Sequence, residues 1–339
     1  MTNSAPLGEF DLIARLVELI EDAGAAPERR GRIVIASGDD AAVTEPPGAT
    51  ATSVDALVEG VHFRRETASL ESIGHKALAA ALSDLAAMGA APGEAYVQLG
   101  VPTDLDEAGA MELGNGLAAA AAANEVAVVG GDVTRAPVLF LAVTVVGHAG
   151  SPDELVSRAG AEPGNVVVVT GELGGAAAGL LLLDRPELAD ALDASAADAL
   201  RRRQLRPSPR LAAGRALAAS GATSMIDLSD GLGGDALHVA AASGVTIAIE
   251  VDRVPVQPGV GEVAGAAGVE AIDLVAAGGE DYELLATLAP GDVDRARTSL
   301  EDGGTSLTVI GEVTEGTGVV LRLADGSERA ASGFDQLRR

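Results

Sequence analysis

The sequence predicts an α+β protein built from two α/β domains, and three observations carry that expectation. Short apolar strand-like runs and helix-periodic stretches alternate irregularly, which disfavours one clean doubly wound sheet. The 339 residues are enough for two domains at roughly 150 residues each, every one able to bury its own core. Turn residues gather in Gly147–Pro152 between two patterned regions, so a boundary is expected there, giving an N-terminal domain over 1–149 and a C-terminal domain over 150–339.

In chain order, Leu7–Glu21 carries Phe10, Ile13, Val17 and Ile20 at helical spacing and predicts an amphipathic helix. Ile33–Ala36 predicts a short strand running into the turn Ser37-Gly38-Asp39-Asp40, and Ala49–Val54 a strand ending at Asp55. Ile73, Ala77, Ala81, Leu85 and Met88 form one helical stripe with Asp84 beside it. Strand Tyr96–Val101, helix Asp106–Asn124, strand Val126–Val129 before Gly130-Gly131-Asp132, and the β-branched strand Val138–Gly147 complete the first half. The second half opens with strand Val166–Thr170, a glycine-rich turn and helix Ala176–Leu183. Ser224–Ile226 then leads into Asp227-Leu228-Ser229-Asp230, and a strand-like Val275–Gly279 into Glu280-Asp281-Tyr282.

Composition narrows the function. Apolar residues at 47% and charged residues at 22% describe a folded globular chain. Fifty Asp and Glu against 23 Lys and Arg leave a formal charge of -27, a field that repels nucleic acid and anionic lipid. A polyanionic ligand therefore needs bound divalent cations to hold it. There is no Cys, which removes disulfides, thiolate metal sites and a cysteine nucleophile. Met1–Phe10 lacks the basic-then-apolar layout of a signal peptide and no long uninterrupted apolar run occurs, so a cytoplasmic protein without membrane contact is expected. Aromatic residues are only 2% while Gly numbers 43, which predicts a core of small, closely packed side chains.

The recurring chemical theme is a short apolar strand followed by acidic residues: Asp39/Asp40, Asp55, Asp132, Asp227/Asp230 and Glu280/Asp281. Strand ends are where a rigid scaffold presents site residues. Converging carboxylates repel one another and need cations or protons to stay together. An all-oxygen ligand set suits Mg²⁺, which keeps waters and shares substrate phosphates. Asp and Gly also simply make turns, and any single one of these segments is explained equally well that way.

Other motifs carry less. No Walker phosphate loop exists, and Thr170-Gly171-Glu172-Leu173-Gly174-Gly175 is only a weak candidate for an anion-binding helix start. His62, His75, His148 and His238 show no metal-ligand spacing. Arg201-Arg202-Arg203 reads as a solvated helix face.

Taken in order, Gly38-Asp39-Asp40-Ala41-Ala42-Val43, Asp55 through Phe63, Gly74-His75-Lys76 through Ser83-Asp84-Leu85-Ala86-Ala87-Met88-Gly89-Ala90, and Gly130-Gly131-Asp132-Val133-Thr134-Arg135 form a series. It continues in Arg206-Pro207-Ser208-Pro209-Arg210, Ile226 through Leu232, and Gly278-Gly279-Glu280-Asp281-Tyr282-Glu283-Leu284. The series spans essentially the whole chain and resembles the thiamine-monophosphate kinase family. The resemblance implies an aminoimidazole ribonucleotide synthetase-like fold, whose N-terminal sheet forms a homodimer, and an ATP- and Mg²⁺-dependent phosphorylation of thiamine monophosphate to thiamine diphosphate.

By motif, the resemblance assigns Asp40, Ser53, Val54, Asp55, Asp84, Asp132, Asp227 and Asp230 to several Mg²⁺ ions, and Gly131, Asp132, Arg158 and Ser229 to ATP. It assigns His62, Glu280 and Phe334 to the thiamine substrate. Two positions depart from the family: Val54 stands where a hydroxyl residue is usual, so a metal contact there has to use backbone oxygen, and Ala81 replaces an Asn. The alternatives are another ATP-using enzyme of the same superfamily, or a nonenzymatic acidic oligomer that binds metal through diffuse charge.

Overall fold

Alanine and glycine let the helices of this protein lie unusually near one another. The structure is a computed structural model that describes residues 9–24, 33–36, 41–46 and 48–331. Its chain divides into two compact units, Met1–Leu85 with Pro92–Gly150, and Ala86–Ala91 with Ser151–Arg339.

The first unit runs α1 (Glu9–Asp22), β1 (Ile33–Ile35), β2 (Val43–Thr44), β3 (Ala49–Val58), α2 (Leu70–Ala87), β4 (Ala91–Val101), α3 (Glu107–Ala123), β5 (Ala127–Arg135) and β6 (Phe140–Ala149). A four-stranded sheet has the order β3-β6-β4-β5, with β3–β6 antiparallel and β4–β5 parallel, while β1 and β2 pair separately. Asp106 caps α3 by accepting from Gly109 N at 2.9 Å, satisfying one of the helix's first orphan donors. A Cβ at Gly74 would lie 2.0 Å from Leu113 O, and one at Gly116 1.8 Å from Glu71 O. Backbone therefore touches backbone between α2 and α3, and any larger residue at these glycines would force the helices apart.

The second unit runs β7 (Val166–Thr170), α4 (Gly175–Asp184), α5 (Ala194–Leu205), α6 (Leu211–Ala219), β8 (Ser224–Asp227), α7 (Leu232–Ser243), β9 (Thr246–Glu250), α8 (Val260–Ala267), α9 (Ala271–Ala276), β10 (Leu284–Leu288), α10 (Val293–Glu301), β11 (Leu307–Thr314), β12 (Gly318–Arg322) and β13 (Glu328–Ala330). Its seven-stranded sheet has the order β13-β12-β9-β11-β7-β10-β8, antiparallel except for the β12–β9 pair. β7 and β10 lie inside this sheet and are buried along nearly their whole length, which explains their near-continuous apolar runs. Val167, Val169, Ile226, Ile247, Ile249 and Leu285 build the main core. Ala178, Leu182, Leu200, Val260 and Val263 form a second cluster among α4, α5 and α8.

Three local expectations are corrected. Asp55 lies inside β3, which continues to Val58, and Gly130-Gly131-Asp132 lies inside β5 instead of in a turn. The residues before Gly278 form helix α9, not a strand.

Candidate active site

Period-two alternation along β3 sorts its residues between two faces. Ser53 and Asp55 share the face on which their cross-strand partners Val145 and Val143 are buried. Ser53 Oγ donates a hydrogen bond to Asp84 Oδ2, so α2 delivers its carboxylate to that same face. Asp55 Oδ1 accepts from Ala56 N at 2.7 Å. Val54 points the opposite way and is 65% exposed, so its side chain takes no part in this group. Ala81, the other family departure, is fully buried in α2.

The remaining site candidates of the first unit lie on other elements. Gly131 and Asp132 are exposed on β5, with Asp132 opposite Gln98 of β4. His62 follows β3 in a turn where its backbone N–H donates to Val58 O at 2.9 Å and its Nδ1 accepts from Val58 N at 3.1 Å. That arrangement puts the proton of the neutral imidazole on Nε2. Glu59 of the same motif holds Arg65 Nε at 2.5 Å and Leu139 N at 3.2 Å, which makes it a turn anchor. Asp40 and Phe334 lie outside the described residues.

In the second unit, Asp227 closes β8 with only 3% of its surface exposed. Asp235 on α7, which sequence reasoning missed, accepts from Asp230 N at 3.0 Å. Burial, followed by the like charges of Asp227 and Asp230, pushes the Asp235 carboxyl up to about 8. The missed signal was the position itself: Gly233-Gly234-Asp235 puts a carboxylate in the first turn of the helix that follows the acidic turn.

Backbone hydrogen bonds zip two of the sequence motifs together. Glu280 N donates to Ser229 O and Tyr282 N to Leu228 O, both at 2.9 Å, while Leu228 N donates to Glu283 O at 2.8 Å. A Cβ at Gly279 would stand 2.1 Å from Ser229 O, so this approach requires glycine. Glu280 and Tyr282 take left-handed backbone conformations, φ 68° and 50°, which non-glycine residues adopt only when their surroundings compel it.

Those surroundings are ionic. Glu283, fully buried, accepts from Thr170 Oγ1 at 2.7 Å, Arg203 Nη2 at 2.5 Å, and Arg210 Nε and Nη2 at 2.7 and 2.5 Å. Arg203 is thereby corrected from a solvated residue to an internal counter-ion. Asp281 accepts from Gly174 N at 2.6 Å and Ala176 N at 3.0 Å, so the start of α4 is already filled by the protein's own carboxylate. The glycine-rich turn before α4 is accordingly a structural cap, and its anion-site reading is overturned. Arg158 sits exposed in a bend, its carbonyl accepting from Ser243 Oγ at 3.3 Å.

Among the described residues no three His, Asp or Glu side chains gather into a ready-made metal cage. Mg²⁺ does not require one, because it retains waters and is commonly held by one or two carboxylates plus phosphate oxygens. The donors present are all oxygen, and burial, with the like charges of Asp227 and Asp230 adding to it, disfavours the ionised form of Asp235, a penalty that a nearby cation relieves. The residues fit Mg²⁺.

Residues 38–149 match the family described as AIR synthase related protein, N-terminal domain, and residues 162–324 match the corresponding C-terminal domain. A curated thiamine-monophosphate kinase of Escherichia coli (strain K12) is 36% identical over 323 residues, covering 94% of both chains. The crystal structure of thiamine-monophosphate kinase from Stenotrophomonas maltophilia K279a is 36% identical, with a TM-score of 0.81 over 91% of this chain and 96% of that one. A structure of AaThiL complexed with AMPPCP and TMP superposes with a TM-score of 0.74 at 31% identity, over 98% of this chain and 99% of that one. With both halves matched and relatives at these identities over nearly its full length, the chain belongs to the thiamine-monophosphate kinase family of AIR synthase-related proteins.

Proposed function

We propose that the protein transfers the γ-phosphoryl group of ATP to the phosphate of thiamine monophosphate, giving thiamine diphosphate and ADP. The observation that carries this reading is the near full-length likeness to AaThiL, a structure holding an ATP analogue together with TMP. In this reading the chain's own motif residues take these roles: Asp40, Ser53, Asp55, Asp84, Asp132, Asp227 and Asp230, with the backbone oxygen of Val54, for Mg²⁺; Gly131, Asp132, Arg158 and Ser229 for ATP; His62, Glu280 and Phe334 for the acceptor.

Mg²⁺, when bound, cancels the charge of two polyanions inside an acidic protein and so lets them approach. The chain's own residues position the reactants. Ser53 holds Asp84 in one orientation, and the Ser229–Glu280 backbone bond fixes a nucleotide-site candidate beside an acceptor-site candidate. The acceptor is a phosphate oxygen, ionised near neutral pH, so no side chain has to remove a proton. His62, whose Nδ1 is engaged by Val58 N, acts here as a hydrogen-bond donor through Nε2. A direct in-line displacement follows: the acceptor oxygen bonds to the γ-phosphorus as the bond to the β,γ-bridging oxygen breaks, and ADP leaves with that electron pair.

Two further parts of the reading rest on surface chemistry. The outward residues of β3 and β6, in the pairs Thr52–Val146, Val54–Thr144 and Ala56–Ala142, are small, uncharged and open in a chain of charge -27. That face suits homodimerisation through the sheet. No helix among the described residues is long and apolar enough to cross a membrane, and a cytoplasmic enzyme meets both ATP and thiamine monophosphate. The domains are assigned as 1–149, an N-terminal metal- and ATP-binding and dimerisation domain, and 150–339, a C-terminal domain.

Incubation with ATP, Mg²⁺ and thiamine monophosphate tests the proposal, with both products followed by chromatography. Stoichiometric thiamine diphosphate and ADP are expected. ADP formed only with a different acceptor would make this another enzyme of the superfamily, and metal binding without turnover would make it a nonenzymatic oligomer.

A further inference from the structure

Two consecutive residues at the end of α5 grip one loop by two of its carboxylates. Arg203 Nη2 donates to Glu283 Oε1, and Gln204 Nε2 donates to Glu280 Oε2, both at 2.5 Å. Only the amide NH₂ of a glutamine can donate to a carboxylate, which fixes the amide's orientation. Its other atom, Oε1, is then buried without a hydrogen-bond partner, on a side chain only 4% exposed. An orphaned buried acceptor costs stability, and a methionine would fill similar space without that cost. Packing alone therefore gives no reason for a glutamine at this position.

The position is also held firmly from behind. A Cβ on Gly179 of α4 would lie 2.1 Å from Leu200 O and 3.1 Å from the Gln204 Cβ, so α4 packs tightly against the turn of α5 from Leu200 to Gln204. Glu280 is fixed in turn at its backbone by Ser229 O, in a left-handed conformation. Glu283 receives two guanidinium groups, and the group that Gln204 brings to Glu280 is a neutral amide. A directional amide donor orients the carboxylate it holds.

We propose that Gln204 is a positioning residue for the acceptor substrate, aiming the Glu280 carboxylate at the cationic heteroaromatic part of thiamine monophosphate. The inference rests on the proposed contact between Glu280 and the acceptor.

The test is steady-state kinetics, varying each substrate in turn, for Gln204→Met, Glu280→Gln and the double variant, with a thermal melt of each. Gln204→Met is expected to raise the KM for thiamine monophosphate about tenfold, the scale of a lost hydrogen bond to a charged group. The KM for ATP and the melting temperature should stay near those of the unaltered protein, and in the Glu280→Gln background the same change should add nothing further. If Gln204→Met fails to fold, Gln204→Asn, one methylene too short to reach Glu280, is expected to give the same split. An unchanged acceptor KM in Glu280→Gln overturns the Glu280 assignment and this inference with it. A raised KM there with none in Gln204→Met overturns the inference alone. Equal losses for both substrates with a lowered melting temperature make Gln204 a packing residue and also overturn it.

Discussion

Ser53 on β3 hydrogen-bonds Asp84 on α2, joining two motifs 31 residues apart across the interior of the first unit. In the proposed site Asp84 binds Mg²⁺ and the Ser53 hydroxyl orients it; such an orienting hydroxyl typically contributes ten- to a hundredfold to activity, whereas removing the carboxylate's charge acts on the proposed ligand directly. Ser53→Ala should therefore lower turnover by about 10- to 100-fold, and Asp84→Asn by more than about 100-fold, with both proteins folded. Turnover assays at saturating Mg²⁺, paired with melts in EDTA, check this; near-normal turnover in Asp84→Asn rejects the metal assignment.

Mg²⁺ and a nonhydrolysable ATP analogue should stabilise the protein cooperatively. Each ligand of the native state raises the melting temperature by mass action, and two ligands sharing one site raise it by more than the sum of their separate shifts. A thermal scan with each alone and with both together decides it. Strictly additive shifts contradict a shared metal–phosphate site.

Much of this arrangement is legible in the amino-acid order, and the parts that are not share a cause. Val166–Thr170 is a strand on its β-branched run alone, and the structure has the same bounds. Gly130-Gly131-Asp132 misleads because consecutive glycines usually break strands. Here a Cβ at Gly131 would come 2.1 Å from Val97 O, so the glycine serves the approach of β4. The short apolar run Ala271–Ala276 is too brief for its period to separate helix from strand. Arg203 and the glycine-rich turn before α4 are misread for one reason. Their partners, Glu283 and Asp281, are 80 and 107 positions away from Arg203 and Gly174, and no local pattern announces an ion pair or cap supplied from that distance.

Asp281 gives stability a defined pH dependence. Burial pushes its carboxyl from the ordinary 3.8 up to about 6, against the opposing pull of Arg203 and of the N–H groups of Ala176 and Gly174. The folded protein thus holds this proton more tightly than the unfolded chain. Its contribution is complete below about 3.8, falls as pH rises through the interval to about 6, and is lost above it. At about 1.4 kcal/mol per pH unit the interval corresponds to ~3 kcal/mol. Urea denaturation across pH 4 to 7 should show the stability difference between the unaltered protein and Asp281→Asn shrinking as pH rises. A difference that grows with pH has the wrong sign and rejects the assignment.

The Glu283 cluster should respond asymmetrically to the loss of its members. Glu283→Ala leaves Arg203 and Arg210, 14% and 25% exposed, facing each other without their common anion, and takes the acceptor from Thr170 Oγ1. Breaking a buried pair in this way typically costs about 3–5 kcal/mol, because the remaining charges cannot return to water. Arg210→Ala is different: Glu283 keeps Arg203 and the Thr170 hydroxyl, so its charge stays compensated and the loss is nearer that of hydrogen bonds to a charged group, about 1.5–3 kcal/mol. The loop carrying Glu280 begins three residues before Glu283, so Glu283→Ala should also blunt acceptor binding, while Arg210→Ala should leave it largely intact. Chemical denaturation of both variants, with the KM for thiamine monophosphate measured on each, tests the ordering. Equal stability losses would mean that the two arginines do not share one anion, and the account of what holds the strained loop would fall with them.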